Sequence, residues 1–387
     1  MKILFVINNM KIGGTRRSLI NFLNYLSQHD IEISLLIFSP YGEYINEIPK
    51  NINILEGDIW LKSSFSELKD LKNSKSYILI LNRLILKISK RLFSEKRVIK
   101  YIFNNYIKTI ENNEYDAVIG FQEGLCNDFA SMLNSKKNIL WIHNSYENLP
   151  YLSKGFKESY KNASNIVFVA DNSMDTFIKN MPELAYKMSV IKNTLPQRRI
   201  IDLGNEEIDD KEIFKTNIIN IVSVGRIVPQ KAFDRIIEVG KYLKNKSIDF
   251  NWIIIGDGKD KLKLKNKIEE EELSQYIRLI GAKSNPYAYI KKSDLFVMTS
   301  IYESQPMTIM EALTLGVPVI TTKFDSVNEI IQDKPFAIVC ENSVNGLCKS
   351  IEEILNNKER INSMKISTCD FKYNNEEIVK QFLSLIR

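Results

Sequence analysis

Histidine, cysteine and long apolar runs are all scarce in this 387-residue chain. No stretch of about 18 uncharged apolar residues occurs, so no segment reads as a membrane-spanning helix. The apolar run at residues 2–8 is too short for a secretory leader and reads as a first buried strand. The four cysteines (Cys126, Cys340, Cys348 and Cys369) lack metal or redox spacing, and read as reduced thiols of a cytosolic protein. No Asp-x-Asp occurs, and no His, Cys and carboxylate cluster has metal spacing, so no metal site is expected. Gly13-Gly14 is followed neither by Gly-Lys-Ser/Thr nor by the Gly-x-Gly-x-x-Gly pattern, which excludes a P-loop and argues against a nicotinamide cofactor. Of the two histidines, His29 sits in a polar turn, whereas His143 follows an apolar run at residues 138–142. His143 suits a core-edge role as well as a functional one.

What the chain does have is alternation. Apolar strand-like runs at 2–8, 32–38, 116–120, 138–142, 166–170, 218–224, 250–255, 277–280, 294–299 and 317–321 are separated by amphipathic segments such as 15–28, 233–243 and 306–315. Such alternation implies α/β architecture with parallel sheets covered by helices on both faces. At 44% hydrophobic, 387 residues suffice for two domains with their own cores. Both halves open with a strand, a glycine-containing turn and a helix. The expected organisation is a doubly wound N-terminal domain over 1–197, an acidic linker over 198–217, a second such domain over 218–375 and a final helix over 376–387.

Three constellations could carry chemistry. Glu303 and Glu311 lie eight positions apart, one in the loop after an apolar strand and the other one turn inside the following helix. Pro306 suits the first helical position, and Gly316 ends the helix. The amides of Gln305, Met307 and Thr308 would then be free to meet a phosphate, and Glu311 could accept bonds from two neighbouring ribose hydroxyls. Alone, the pair equally suits a solvated loop acid and a helix-surface acid. The second constellation is Gly225-Arg226 with Lys231, two cations at the mouth of one βα loop, as a diphosphate would require. The third is Gly13-Gly14, where backbone can approach a ligand closely and Thr15 could cap the next helix.

Together, Gly13-Gly14, His143, Gly225-Arg226 with Lys231, Gly256-Asp257-Gly258, Gly281 with Asn285-Pro286-Tyr287, and Glu303 to Glu311 followed by Pro318 resemble the retaining GT4 glycosyltransferases of the GT-B group, along the whole chain. That resemblance implies two Rossmann-like domains facing a cleft, with a nucleotide-sugar, such as a UDP-sugar, on the C-terminal one. Arg226 and Lys231 would hold the diphosphate, Glu311 the ribose, and residues near Lys283 the base. Glu303, Ser304, Gln305, Pro306, Met307 and Thr308 would hold the donor sugar. His143 and the Gly13-Gly14 loop would contact the donor from the N-terminal domain, with Glu303 and His143 as catalytic residues. The reaction would be a metal-independent front-side displacement with retention, the last helix would cross back to the first domain, and no bound cofactor would be needed beyond the co-substrate. One position departs: many family members have glycine where this chain has Ser304, and a positive φ there would cost serine about 1 kcal/mol.

Residues 72–108 hold ten Lys and Arg against the single acid Glu95, a net +9 that exceeds the +6 of the whole chain. Residues 77–93 combine an apolar face with Arg83, Lys87, Lys90 and Arg91, as in helices that lie on anionic membranes. A core-packed helix with a solvated basic face would give the same pattern. The expectation is a cytoplasmic protein, peripheral at the inner face of a bacterial cell membrane, that glycosylates a glycan or lipid-linked acceptor in surface polysaccharide assembly. Acceptor choice would rest on loops 39–75 and 144–160. The competing readings are a non-catalytic GT-B partner or scaffold, against which intact Glu303, Arg226 and Lys231 argue, and a nucleic-acid binder, for which the basic segment lacks interleaved stacking residues.

Overall fold

The computed structural model describes residues 1–73, 76–110, 114–149, 158–331 and 333–387. Lys75 of the basic segment and residues 150–157 of the second acceptor loop lie outside these. The chain forms two compact units, one of Met1–Thr194 with Asn374–Arg387 and the other of Leu195–Tyr373.

The first unit is built on a parallel sheet of β1 (Lys2–Ile7), β2 (Glu32–Ile37), β3 (Asn53–Glu56), β4 (Tyr115–Gly120), β5 (Ser135–Ile142), β6 (Asn165–Phe168) and β7 (Met188–Val190), in the order β3-β2-β1-β4-β5-β6-β7. β1 sits mid-sheet with Phe5 opposite Leu35 on one side and Ile119 on the other. Its near-continuous burial is that of a parallel strand covered on both faces. β3 and β7 gave no apolar run because both are short, part-exposed edge strands. The final helix, Asn375–Ile386, is part of this unit. Asn374 caps it by accepting from the Glu377 amide, and Asn375 Nδ2 donates to Tyr25 Oη at 2.9 Å. Phe382 is fully buried, with ring centroids 6.1 Å from Phe5, 5.0 Å from Phe22 and 5.9 Å from Trp141.

The second unit has β8 (Asn220–Val224), β9 (Asn251–Ile255), β10 (Ile277–Leu279), β11 (Leu295–Met298), β12 (Val319–Thr322) and β13 (Ala337–Cys340), all parallel, in the order β10-β9-β8-β11-β12-β13. β13, like the other two unforeseen strands, lies at an edge. Residues 198–217 are no free linker: the helix Gln197–Gly204 and Ile200, Ile208 and Ile213 are packed in the core of this unit with Leu313 and Leu315. The acidic run around them hides three separated isoleucines that local pattern cannot connect.

In each sheet the strand order reverses beside the first strand, between β1 and β4 and between β8 and β11. Loops leaving the carboxyl ends of such neighbouring strands diverge and open a crevice where ligands bind.

The basic segment folds as two helices, Tyr77–Leu92 and Glu95–Ile110. The first is anchored inward by Leu79, Asn82 and Leu86. Arg83 does not face outward: its guanidinium donates to the backbone carbonyls of Ser63 and Ser66, bracing the helix Ile59–Phe65. Lys90 pairs with Glu95 at 2.7 Å, while Lys87 and Arg91 are exposed. The outer face is apolar rather than uniformly basic, so a core-packed helix with a solvated basic face does not describe this segment.

Candidate active site

The two loops flanking the β8/β11 switch point are joined by an ion pair and by hydrogen bonds around it. After β8, Gly225 N–H donates to Ile255 O at 3.0 Å and Ile227 N–H to Asp257 O at 2.9 Å, so the β8 and β9 loops run against each other. This contact explains Gly256-Asp257-Gly258. A Cβ on Gly256 would stand 1.9 Å from Gly225 O, and one on Gly258 2.3 Å from Ile227 O. The chain then makes the one-turn helix Pro229–Lys231 and leaves it through Ala232 at φ 48°. The Lys231 side chain passes over Gly225, where a Cβ would lie 3.5 Å from its Cε. Its ammonium reaches Glu303 Oε1 at 2.5 Å.

Glu303 stands on the loop after β11, and that loop is bonded on every side. Thr299 Oγ1 donates to Lys231 O at 2.7 Å, and Ile301 N–H to Gln230 O at 2.8 Å. Gln230 Nε2 donates to Tyr302 O at 2.9 Å and Thr322 Oγ1 to Ser300 O at 2.6 Å. Arg235 bridges Thr299 O and Asn342 Oδ1, while Asn342 Nδ2 donates to Ile301 O and Lys323 O. Ser326 Oγ holds the Glu303 carbonyl at 2.8 Å, and Ser300 Oγ donates to Glu303 Oε1 at 2.6 Å. The carboxylate is thus fixed by a cation and a hydroxyl on one oxygen. Side-chain exposure of only 17% for Lys231 and 10% for Glu303 removes most solvent screening.

Beyond Glu303 the helix runs Met307–Thr314, so Pro306 precedes it rather than opening it. The Met307 amide is taken by Gln305 O at 2.9 Å and is not free for a ligand. Ser304 has a negative φ, so no backbone strain attends the missing glycine. Gln305 Nε2 donates to the part-buried Tyr373 hydroxyl at 2.9 Å. The Thr308 hydroxyl is buried and has no partner among the described residues. Glu311 is buried, and Tyr287 Oη donates to its Oε1 at 3.3 Å. Arg226 is exposed and unpaired among the described residues, its fork of donors open to solvent. Lys283 is exposed on the loop after β10, with its ammonium 5.6 Å from the Tyr289 ring centroid.

In the first unit, His143 follows β5 and is buried against Phe121. Burial pushes its pKa down, so the ring is neutral near pH 7. Its Nε2 faces Phe121 O at 3.1 Å; a carbonyl only accepts, so Nε2 carries the proton and Nδ1 is the acceptor nitrogen. The His143 amide donates to Glu123 Oε1, which also accepts from Asn144 Nδ2 at 3.1 Å. Glu123, on the loop after β4, carries no motif signal. Gly13 and Gly14 begin the helix Gly14–Leu26, Thr15 lies inside it and does not cap it, and a Cβ on Gly14 would meet nothing within 4 Å. Their loop is fixed from the side: Gly42, at φ +132°, lies so close that its Cβ would stand 2.0 Å from Met10 C.

Among the described residues no group of three or more His, Cys, Asp or Glu could hold a metal ion, and no helix is long and apolar enough to cross a membrane.

The structure therefore brings Lys231 and Glu303 into contact and gives Glu311 a hydroxyl neighbour. Ser300, Ser326, Arg235, Asn342 and Tyr287, which support them, carried no spacing signal except Tyr287.

Residues 204–368 match the family described as Glycosyl transferases group 1. An uncharacterized glycosyltransferase of Methanocaldococcus jannaschii is 29% identical over 275 residues, 68% of this chain and 66% of the relative. Poly(ribitol-phosphate) alpha-N-acetylglucosaminyltransferase of Staphylococcus aureus is 28% identical over 169 residues, 42% of this chain and 34% of its own. In fold, the chain is similar to Anabaena HepE solved in complex with UDP and glucose, with a TM-score of 0.73, 14% identity, and coverage of 100% of this chain and 99% of that one. The chain is thus similar to the group 1 glycosyltransferases in sequence over most of its second unit, and it has the GT-B fold along its length.

Proposed function

We propose that the chain transfers a sugar from a nucleoside-diphosphate donor, a UDP-hexose or UDP-N-acetylhexosamine, to a glycan or lipid-linked acceptor. The reaction proceeds with retention and without a metal, in assembly of a surface polysaccharide or glycolipid at an anionic cytoplasmic membrane face. The observation that carries this reading is the Lys231–Glu303 pair at the β8/β11 switch point. UDP in the similar HepE fold and the polymer acceptor in the name of the S. aureus relative support the donor and acceptor classes.

The residues divide the work by chemistry. Arg226 and Lys231 neutralise charge as it grows on the leaving diphosphate. Glu303 accepts hydrogen bonds from donor-sugar hydroxyls, and its braced loop fixes their orientation before reaction. Ser304, Gln305, Pro306, Met307 and Thr308 form the rest of the sugar subsite, with the Thr308 hydroxyl available to an oxygen of the donor. Glu311, oriented by Tyr287, takes the ribose hydroxyls, and Lys283 lies near the base. The C1–oxygen bond to the diphosphate breaks with its electron pair going to the phosphate. The acceptor oxygen bonds to C1 on the same face, and its proton passes to a phosphate oxygen. His143, neutral with Nδ1 as acceptor, and the Gly13-Gly14 backbone are the first unit's candidates for ligand contact, a role that rests on the family resemblance alone.

A thermal-shift panel of UDP-glucose, UDP-galactose, UDP-N-acetylglucosamine and bare UDP, followed by product analysis on the best donor, tests the reading. Stabilisation by UDP and a retained anomer in the product are expected. No response to any uridine nucleotide, or an inverted product, would overturn it.

A further inference from the structure

The helix Tyr77–Leu92 carries an apolar face that is exposed among the described residues. Tyr77, Ile78, Leu81, Leu84, Ile85, Ile88 and Leu92 are between 42% and 86% exposed. At 3.6 residues per turn these seven side chains fall within one arc of about 120° along the helix. The opposite side is fixed: Leu79, Asn82 and Leu86 are buried, and Arg83 is bonded to the Ser63 and Ser66 carbonyls. The helix is therefore held with its apolar arc pointing away from the core. Large exposed apolar patches on otherwise ordinary surfaces mark interaction sites.

We infer that this helix inserts its apolar arc into the interfacial layer of an anionic bilayer, and that insertion rather than charge alone attaches the protein to the membrane. The inference deepens the membrane placement in the proposed function and does not depend on the donor chemistry. Charge selects this occupant over a second copy of the chain. Lys87 and Arg91 are exposed and flank one edge of the arc, and the helix contains no acid. Phe93, also exposed, and then Arg97 and Lys100 follow, while Lys96 of the next helix pairs with Glu158 at 3.4 Å. Pairing two such arcs would bring like cations together with no carboxylate on the helix to offset them, whereas anionic headgroups accept cations beside an apolar face. The Lys90–Glu95 pair closes the turn between the two helices and keeps the only nearby acid of the segment engaged.

The test is flotation of the full chain with vesicles rich in phosphatidylglycerol and with pure phosphatidylcholine vesicles, at low salt and at about 1 M salt, where the Debye length is about 3 Å. Binding to phosphatidylglycerol that survives high salt is expected. The triple variant Leu81→Ser, Ile85→Ser, Ile88→Ser should bind about 100-fold more weakly at both salt concentrations. Lys87→Gln with Arg91→Gln should weaken binding to anionic vesicles about 30-fold at low salt. Circular dichroism and UDP thermal shift of the variants should match the parent chain, since all five positions are exposed. Loss of UDP binding by the parent would count against the donor reading and leave this one standing. Binding abolished by high salt, or insensitive to the triple variant, would overturn insertion. So would a dimer in sedimentation analysis that the triple variant dissolves while vesicles capture nothing, which would assign the face to a second copy.

Discussion

Replacing Glu303 by glutamine separates two effects that its contact with Lys231 combines. In the free protein the Lys231 ammonium lies 2.5 Å from Glu303 Oε1, and both side chains are mostly withdrawn from solvent. A diphosphate that engages Lys231 must therefore share or displace that carboxylate. The bare Coulomb attraction at an effective dielectric near 20 is about 4 kcal/mol at 4 Å. Exchange of one anion for another returns most of this, and net values for partly exposed pairs centre below about 1 kcal/mol. Glu303→Gln keeps the side chain's size and its acceptor for the Ser300 hydroxyl but removes the competing charge. Isothermal titration calorimetry should then show UDP binding unchanged or tighter by up to about fivefold. Sugar transfer should fall by about 100-fold or more, because the charged acceptor for the donor hydroxyls is gone. Lys231→Met acts in the opposite sense. On the proposed reading it removes a charge-assisted bond to phosphate, which is about 1.5–3 kcal/mol, or about 10- to 150-fold in UDP affinity. If Glu303→Gln weakened UDP by more than about tenfold, competition for Lys231 would be refuted and Glu303 would have to support nucleotide binding directly.

Three further outcomes follow from the same geometry. Gly256→Ala places a methyl group 1.9 Å from the Gly225 carbonyl oxygen, backbone against backbone, so denaturant unfolding should show a loss of about 3 kcal/mol or more; a cost under about 1 kcal/mol would mean the two loops part freely. Asp128, on the helix Leu125–Met132, has its pKa raised by burial to about 6 against 3.8 unfolded, so its ionised form opposes folding above pH 6 and that penalty fades as pH falls through 6 toward 3.8. Asp128→Asn should therefore stabilise the protein by about 1–3 kcal/mol at pH 7 and by almost nothing near pH 4, and a pH-independent change in thermal unfolding would contradict this. Chelation of divalent ions with EDTA should leave transfer within about twofold, whereas a loss restored by Mg²⁺ or Mn²⁺ would overturn the assignment of leaving-group neutralisation to Arg226 and Lys231 alone.

Local pattern carried the central strands, because a parallel strand between two helical layers must be apolar along its length, and of the edge strands it carried only β10. It could not carry β3, β7 and β13, whose edges meet solvent, nor the isoleucines of residues 198–217. The residues of the β8 and β11 loops were readable as chemistry-bearing, but their contact was not. Lys231 and Glu303 are 72 positions apart, and they meet because β8 pairs with β11, a choice made by sheet order. Ser300 is one serine among many, distinguished only by the carboxylate above it. Arg83 teaches the same lesson about the basic helix: sequence gave its charge, and the carbonyls of Ser63 and Ser66 decided its direction. Periodicity shows which residues of that helix share a face, and only packing shows which face is covered.

The chain visits the first unit twice, and the second visit supplies Phe382 to a cluster whose other rings include those of residues 5, 22, 121 and 141. On a ribosome, the second unit has all of its residues before the first one does. Until the last helix emerges, Phe5, Phe22 and Trp141 surround a vacancy the size of an aromatic ring. A premature stop or a proteolytic cut within Asn375–Ile386 would thus damage the unit whose strands were made first, and leave the later strands of the second unit intact.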